Sequence, residues 1–173
     1  SQAEHGADSQ AMLVTSAESI VSPVVDAIQQ QLSELSRRDI TAKALEHSRI
    51  IVLKDEQEVI AFTNMYAPEH LIIQTENYAH IAEQIENAGS VFMGPYTPES
   101  AGDYASGTNH TLPTNGYAKA YSGVNLDSFI KKITFQEITA EGIKNLGGTI
   151  QTMAGNEQLD AHRNAVTIRL KTI

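Results

Sequence analysis

The sequence contains no cysteine, which excludes disulfide bonds, thiolate metal ligands and a cysteine nucleophile together. Any metal ion must therefore be bound by histidine, carboxylate or amide side chains. Basic residues are also scarce, because 12 Lys and Arg stand against 21 Asp and Glu in 173 residues. The resulting formal net charge of -9 opposes contact with phosphate backbones, so we expect no nucleic-acid partner.

Long apolar runs are absent as well, since no stretch approaches the roughly 18 apolar residues that a membrane-spanning helix needs. The first residues, SQAEHGADSQ, lack the basic and then apolar layout of a signal peptide. We therefore expect a folded cytoplasmic protein with no membrane association. Because the sequence opens on Ser1 and passes almost directly into an apolar run, we also expect a chain cut from something longer.

Three common catalytic signatures are missing from the sequence. There is no Walker A loop and no G-x-G-x-x-G after a strand, so no dinucleotide-binding fingerprint is visible. There is no G-x-S-x-G motif either, which argues against a serine hydrolase.

Short β-branched runs alternate with segments of helical period, which predicts an α/β fold with a mainly parallel sheet. One long amphipathic helix is expected between Val21 and Leu35, a second from Asp55, and a third from Tyr78 to Ala88 that Gly89 ends. The predicted strands cover residues 12–15, 49–53, 70–74 and 90–94.

The character of the sequence changes after residue 94. Residues 95–123 are rich in Gly, Ser, Thr, Asn and Tyr, which is typical of a loop that makes contacts. Beyond them we expect a helix at 126–132, a strand at 133–138 and two helical segments at 139–154 and 157–165. This tail is too small to bury its own apolar face, so we expect it to pack on another subunit or on a part of the protein that this chain lacks.

Six histidines are candidate functional residues, and two of them are set aside. His47 and His80 lie in helical patterns beside polar neighbours, which is typical of exposed positions. His70 follows Glu69 and Pro68 at the edge of a strand, where ligands bind in α/β sheets. The Glu69 carboxylate and the His70 imidazole could divide the base and water-activation roles of a reaction.

A second group of candidates has the chemistry of a metal site. Gln2 and His5 are three residues apart, so one helical turn would bring both to the same face. With Asp103 and His162 they form a set of two imidazoles, a carboxylate and an amide that suits zinc, although their spacing alone is not diagnostic. Glu157 is five residues before His162, so a bend in the helix or a shared ligand would be required for both to serve one site.

Four segments, in this order, closely resemble the histidinol dehydrogenase family: SQAEHG, YAPEHLII, AGSVFMGPYTPESAGDYASGTNHTLPT and LDAHRNAV. The likeness runs over essentially the whole chain. It implies the C-terminal part of a longer enzyme: part of an incomplete Rossmann-like lobe at 1–124, and a mostly helical dimerisation tail at 125–173. Most of the NAD-binding lobe would lie upstream, so no residue here is assigned to NAD and the isolated fragment is expected to be inactive.

The resemblance also implies an activity. Family enzymes oxidise L-histidinol through L-histidinal to L-histidine in two NAD-dependent steps with a bound zinc ion, which completes histidine biosynthesis. Glu69 and His70 resemble the acid-base pair. In the family the ligand that matches His162 comes from the partner subunit of a homodimer, and His110 is expected near the site. The residues that resemble zinc ligands are Gln2, His5, Asp103 and His162, and the substrate site would be lined by these four with His70 and Glu157.

Two hypotheses from other functional classes are also compatible with the sequence. In a metal-dependent hydrolase, Glu69 would activate a zinc-bound water, and NAD would play no part. A non-enzymatic dimerisation module would need neither His70 nor Asp103 for binding.

Overall fold

The structure is a computed structural model that describes every residue from Ser1 to Ile173. It divides into two units, Ser1–Ile130 and Lys131–Ile173, which are described separately. The strands are β1 (Met12–Thr15), β2 (Arg49–Val52), β3 (His70–Ile73) and β4 (Ser90–Met93). The helices are α1 (Val21–Glu34), α2 (Arg38–His47), α3 (Glu56–Tyr66), α4 (Tyr78–Ala82), α5 (Glu99–Tyr104), α6 (Ala140–Asn156) and α7 (Asp160–Leu170).

The strands of the first unit form two separate parallel pairs. β1 pairs with β2 in a register that joins Met12 to Arg49, and β3 pairs with β4 in a register that joins His70 to Ser90. The predicted α/β class and the parallel pairing are confirmed. The expected single sheet is not found, because no ladder joins the two four-residue pairs.

The buried core of the first unit lies between α3, β3 and α4. It centres on Ile60, Ile73 and Ile81. α3 begins where predicted, because the Asp55 side chain accepts a hydrogen bond from the Glu58 backbone N–H at 3.0 Å and so satisfies one free donor of the first turn. α1 also agrees with the prediction, but a further helix, α2, follows it before β2.

The helix expected over Tyr78–Ala88 is shorter than predicted, since α4 ends at Ala82. The following residues are held by Asn64 of α3 instead of by further helical bonds. Its side-chain oxygen accepts from the Glu86 N–H at 2.8 Å, and its backbone carbonyl accepts from the Asn87 side chain at 3.0 Å. Gly89 is therefore not a helix stop, and its role is a close approach to the β3 strand.

The second unit contains two helices, as predicted for the tail, and these two helices pack on each other. α6 begins after Thr139, whose hydroxyl accepts from the Gly142 N–H at 3.0 Å, and it packs on α7 through Gly147 and Val166. Gln158 has a φ of 60° between the helices, so the chain bends there. No helix in the chain combines the length and apolar character needed to cross a membrane.

Two predictions for the stretch before α6 are wrong. Residues 133–138 form no strand, because no other segment pairs with them, and Phe135 is 90% exposed. The predicted helix at 126–132 is confined to a single 3₁₀ turn, Leu126–Phe129, which the Asn125 side chain caps. Large apolar side chains of this stretch, including Leu126 and Ile133, lie exposed.

We predict that Gly89→Ala destabilises the first unit by about 1–3 kcal/mol, the usual range for forced overpacking. A Cβ at this position would lie 2.5 Å from the Glu69 backbone carbonyl oxygen, which cannot move without breaking the β3–β4 ladder. The check is urea unfolding followed by far-UV circular dichroism. Gly148→Ala is the control: its Cβ meets open space in α6, so it should stabilise the chain by about 0.5–1 kcal/mol. Equal stability of Gly89→Ala and the wild type would contradict the close approach.

Candidate functional site

The turn that leads into β3 sets the backbone of the Glu69–His70 pair. α3 ends at Ala67, which adopts a left-handed φ of 54°, and Pro68 prevents the helix from continuing. The next carbonyls are then fixed by the start of β4, since the Gly89 N–H donates to Pro68 and the Ser90 N–H to Glu69, both at 2.9 Å. The pair is thus held by main-chain bonds on both sides of its turn.

The His70 imidazole lies between two carboxylates. Its Nδ1 is 3.9 Å from Glu69 Oε1, and its Nε2 is 4.0 Å from Asp103 Oδ1. Both distances are too long for a direct hydrogen bond but are within ion-pair range. The His70 and Asp103 side chains are only 10% and 12% exposed, whereas that of Glu69 is 28% exposed. A weakly hydrated imidazole therefore faces one buried carboxylate and one that solvent reaches.

Phe92 packs against both His70 and the helix that carries Asp103. Its ring is stacked on the His70 ring with a centroid separation of 6.0 Å and an interplanar angle of 21°. It also lies close to Gly102 of α5, where an added Cβ would be 2.7 Å from the Phe92 ring. The Thr108 hydroxyl donates to the Gly102 carbonyl at 3.0 Å and holds the loop that follows. Only glycine at position 102 lets α5 approach this closely.

The N-terminal residues form a helical turn, as the Gln2 and His5 spacing predicts. Gln2–Glu4 is a 3₁₀ turn with His5 as its C-terminal cap. It packs on α2, and Ser1 Oγ donates to Glu99 Oε2 of α5 at 2.9 Å. Glu99 precedes Asp103 by one helical turn on α5, so this bond ties the N-terminal turn to the helix that carries Asp103.

Part of the expected zinc ligand set fits a divalent ion. The Gln2 side-chain oxygen is buried without a hydrogen-bond partner. A buried acceptor of this kind can bind a cation or a hydrogen-bond donor of a ligand. Gln2, His5 and Asp103 all belong to the first unit and supply an amide, an imidazole and a carboxylate. No cluster of three or more His, Asp or Glu side chains in the chain already has the geometry of a metal site.

The remaining predicted site residues lie elsewhere. His162 and Glu157 are exposed residues of the second unit, and the bend at Gln158 falls between them as their spacing requires. His110 is exposed and makes no hydrogen bond or ion pair, and its place near the site stays a prediction. His47 and His80 are exposed, as predicted.

Two residues of this site have no visible signal in the sequence. In the sequence Phe92 is one more apolar strand residue, although it packs against both His70 and α5. Glu99 reads as a polar loop residue, yet it is only 4% exposed and its Oε1 has no partner. Correlated substitutions between the strand and loop positions could have revealed these two residues, but a single sequence contains no such information.

Comparisons with known proteins agree in one family. A family model described as histidinol dehydrogenase matches residues 1–170. The chain is 64% identical over 173 residues to a histidinol dehydrogenase of Bacteroides thetaiotaomicron and 53% identical to one of Aliivibrio fischeri. It covers 40% and 39% of their lengths, respectively. A crystal structure of histidinol dehydrogenase from Elizabethkingia anophelis superposes on 98% of the chain with a TM-score of 0.92 and 56% identity, and the match covers 39% of that structure.

We predict that Phe92→Ala destabilises the first unit by about 3–5 kcal/mol, because it removes a buried ring between His70 and Gly102. Chemical unfolding measures this loss. Tyr96→Ala, at a position 94% exposed, is the matched control and should stay within about 0.5 kcal/mol of the wild type. Similar values for the two variants would mean that Phe92 does not fill the space between β4 and α5.

Proposed function

The chain belongs to the histidinol dehydrogenase family, and we propose that it supplies the acid-base pair and the zinc ligands of a cytoplasmic enzyme that oxidises L-histidinol through L-histidinal to L-histidine. Two NAD molecules would be consumed per substrate, in the last steps of histidine biosynthesis. The observation that carries the proposal is the His70 imidazole held between the carboxylates of Glu69 and Asp103.

His70 acts as the proton acceptor in this proposal. It is the least exposed titratable group of the pair, and each of its ring nitrogens faces a carboxylate that stabilises the imidazolium formed when the substrate alcohol loses its proton. The stacked Phe92 ring restricts the imidazole to one plane, so a substrate approaches a fixed nitrogen.

Glu69 activates the water that attacks the aldehyde. Its carboxylate is more exposed than that of Asp103, so water can reach it. Its backbone is nevertheless fixed by the Ser90 N–H, which limits where that water can be held. The resulting hydrate is the substrate of the second oxidation, for which His70 again accepts the proton.

Four residues would hold zinc: Gln2, His5, Asp103 and His162. The buried, unpartnered oxygen of Gln2 supports this assignment. These residues would hold a zinc ion whose chemistry would be to orient the substrate, and NAD would supply the hydride acceptor. The same four residues, with His70 and Glu157, would line the substrate site. We assign no residue of this chain to NAD.

The proposed enzyme is a homodimer with a shared active site. His162 and Glu157 belong to the second unit, whose Phe135 and Ile133 side chains expose apolar surface that a second copy would cover. His162 would then complete the zinc site of the partner.

We predict that the metal-stripped protein binds one zinc ion tightly per chain and that His162→Ala weakens this binding about 100-fold or more, since loss of a direct ligand should exceed the 10–100-fold typical of outer-shell partners. Titration calorimetry gives both affinities. His47→Ala, which removes an exposed imidazole of α2, is the control and should bind as the wild type does. Equal affinities of His162→Ala and the wild type would remove His162 from the ligand set.

We predict that Glu69→Gln in the intact protein slows oxidation of L-histidinal by about 10²–10⁴-fold and affects oxidation of L-histidinol less, because only the second step needs an activated water. NADH formation from each substrate, followed by absorbance, separates the steps. Glu83→Gln makes the same charge change at an exposed position and should leave both rates unchanged.

The outcome for the wild type decides between function classes. Zinc binding by the full-length protein without NADH formation from L-histidinol would favour a metal-dependent hydrolase. Unchanged zinc and substrate binding after loss of both His70 and Asp103 would favour a dimerisation module without enzymatic activity.

A further inference from the structure

Glu99 is a buried carboxylate at the start of α5. It is 4% exposed, and one of its oxygens, Oε1, has no hydrogen-bond partner. The other oxygen accepts a single bond, from the Ser1 hydroxyl. Burial of a carboxyl group with so few hydrogen-bond partners costs folding free energy. We therefore expect this group to contribute to another property of the protein.

The position of Glu99 indicates what this contribution is. On α5 it stands one turn before Asp103, so the two side chains share a face of the helix. Through Ser1 it holds the 3₁₀ turn that presents Gln2 and His5. The hydrogen bond joins residues 98 positions apart in the chain, and it connects the two segments that carry the first-unit donors of the proposed zinc site.

Other contacts of the N-terminal turn do not replace this connection. The Arg37 guanidinium donates to the His5 carbonyl at 3.4 Å, and the turn packs on α2. Both contacts fix the turn to α2, which carries none of the proposed ligands. Within the first unit, the Ser1–Glu99 bond is the hydrogen bond that relates the turn to α5.

We propose that Glu99 is a positioning residue that sets the N-terminal turn against α5, so that Gln2 and His5 face Asp103 at the distance a zinc ion requires. This inference rests on the proposed function. Glu99 does not touch substrate or metal in this role, and it acts through Ser1 on Gln2 and His5. Partners of this outer kind orient metal ligands and typically change metal affinity by about 10–100-fold when they are lost.

The test is zinc titration by calorimetry on four forms of the intact protein: wild type, Ser1→Ala, Glu99→Ala and the double variant. Glu99→Ala should weaken zinc binding at least tenfold. Ser1→Ala should weaken it in the same direction, and the double variant should be no weaker than Glu99→Ala, because both changes break one bond. Thermal unfolding of each metal-free form accompanies the titration, since a merely structural residue would lower stability and leave the zinc affinity of the folded protein unchanged.

Two further variants make the result specific. Glu99→Gln keeps a side-chain oxygen that accepts the Ser1 hydroxyl, so it should restore zinc affinity to within about threefold of the wild type. It also keeps the inference testable if Glu99→Ala does not fold, together with Ser1→Ala, which removes the same bond from the exposed side. Glu83→Gln is the surface control.

The possible outcomes separate this inference from the proposed function. Wild-type protein that binds no zinc overturns both. Tight wild-type binding with unchanged affinity in both Glu99→Ala and Ser1→Ala overturns the positioning role alone. Additive losses in the double variant also overturn it, because Glu99 would then act by a route other than Ser1.

Discussion

The packing of Phe92 against both His70 and α5 is the contact on which the candidate site depends. The Phe92 ring is stacked on the imidazole at a centroid separation of 6.0 Å, and its tip leaves no room for a side chain at Gly102. Because Asp103 follows Gly102 directly, this contact helps to fix where its carboxylate lies relative to His70. A smaller residue at position 92 would let α5 collapse toward β3, and a side chain at position 102 would push it away.

The site also lies at an unusual place for a parallel strand pair. Ligands in open α/β sheets bind beyond the carboxyl ends of the strands, but His70 is the first residue of β3. The chain compensates after β4, where Gly94 turns with a φ of 79° and α5 returns over Phe92 toward the amino end of the pair. The His70 imidazole is therefore placed by main-chain bonds at one end of β3, and the helix is brought back to meet it.

Local patterns in the sequence account for much of this arrangement but not for its closing contacts. Strand positions, the start of α3 and the helical turn of Gln2 and His5 follow from side-chain period and capping, which act within a few residues. The early end of α4 depends on Asn64, about 20 residues away, and the missing strand at 133–138 depends on the absence of a partner. The hydrogen bond of Glu99 likewise comes from Ser1, 98 positions away in the chain. Contacts of this range leave no periodic signal in a single sequence.

The stability of the second unit is coupled to zinc binding at the proposed site. It spans the 43 residues Lys131–Ile173, and its buried side chains are few and small, such as Ala154 and Val166. A two-helix unit with so little buried apolar area gains much of its stability from a surface that covers it. His162 and Glu157 lie on this unit, so in the proposed homodimer a zinc ion bound by His162 would also favour the covered state. Zinc affinity and subunit association in the proposed enzyme would thus be linked, and each would strengthen the other by the same free energy.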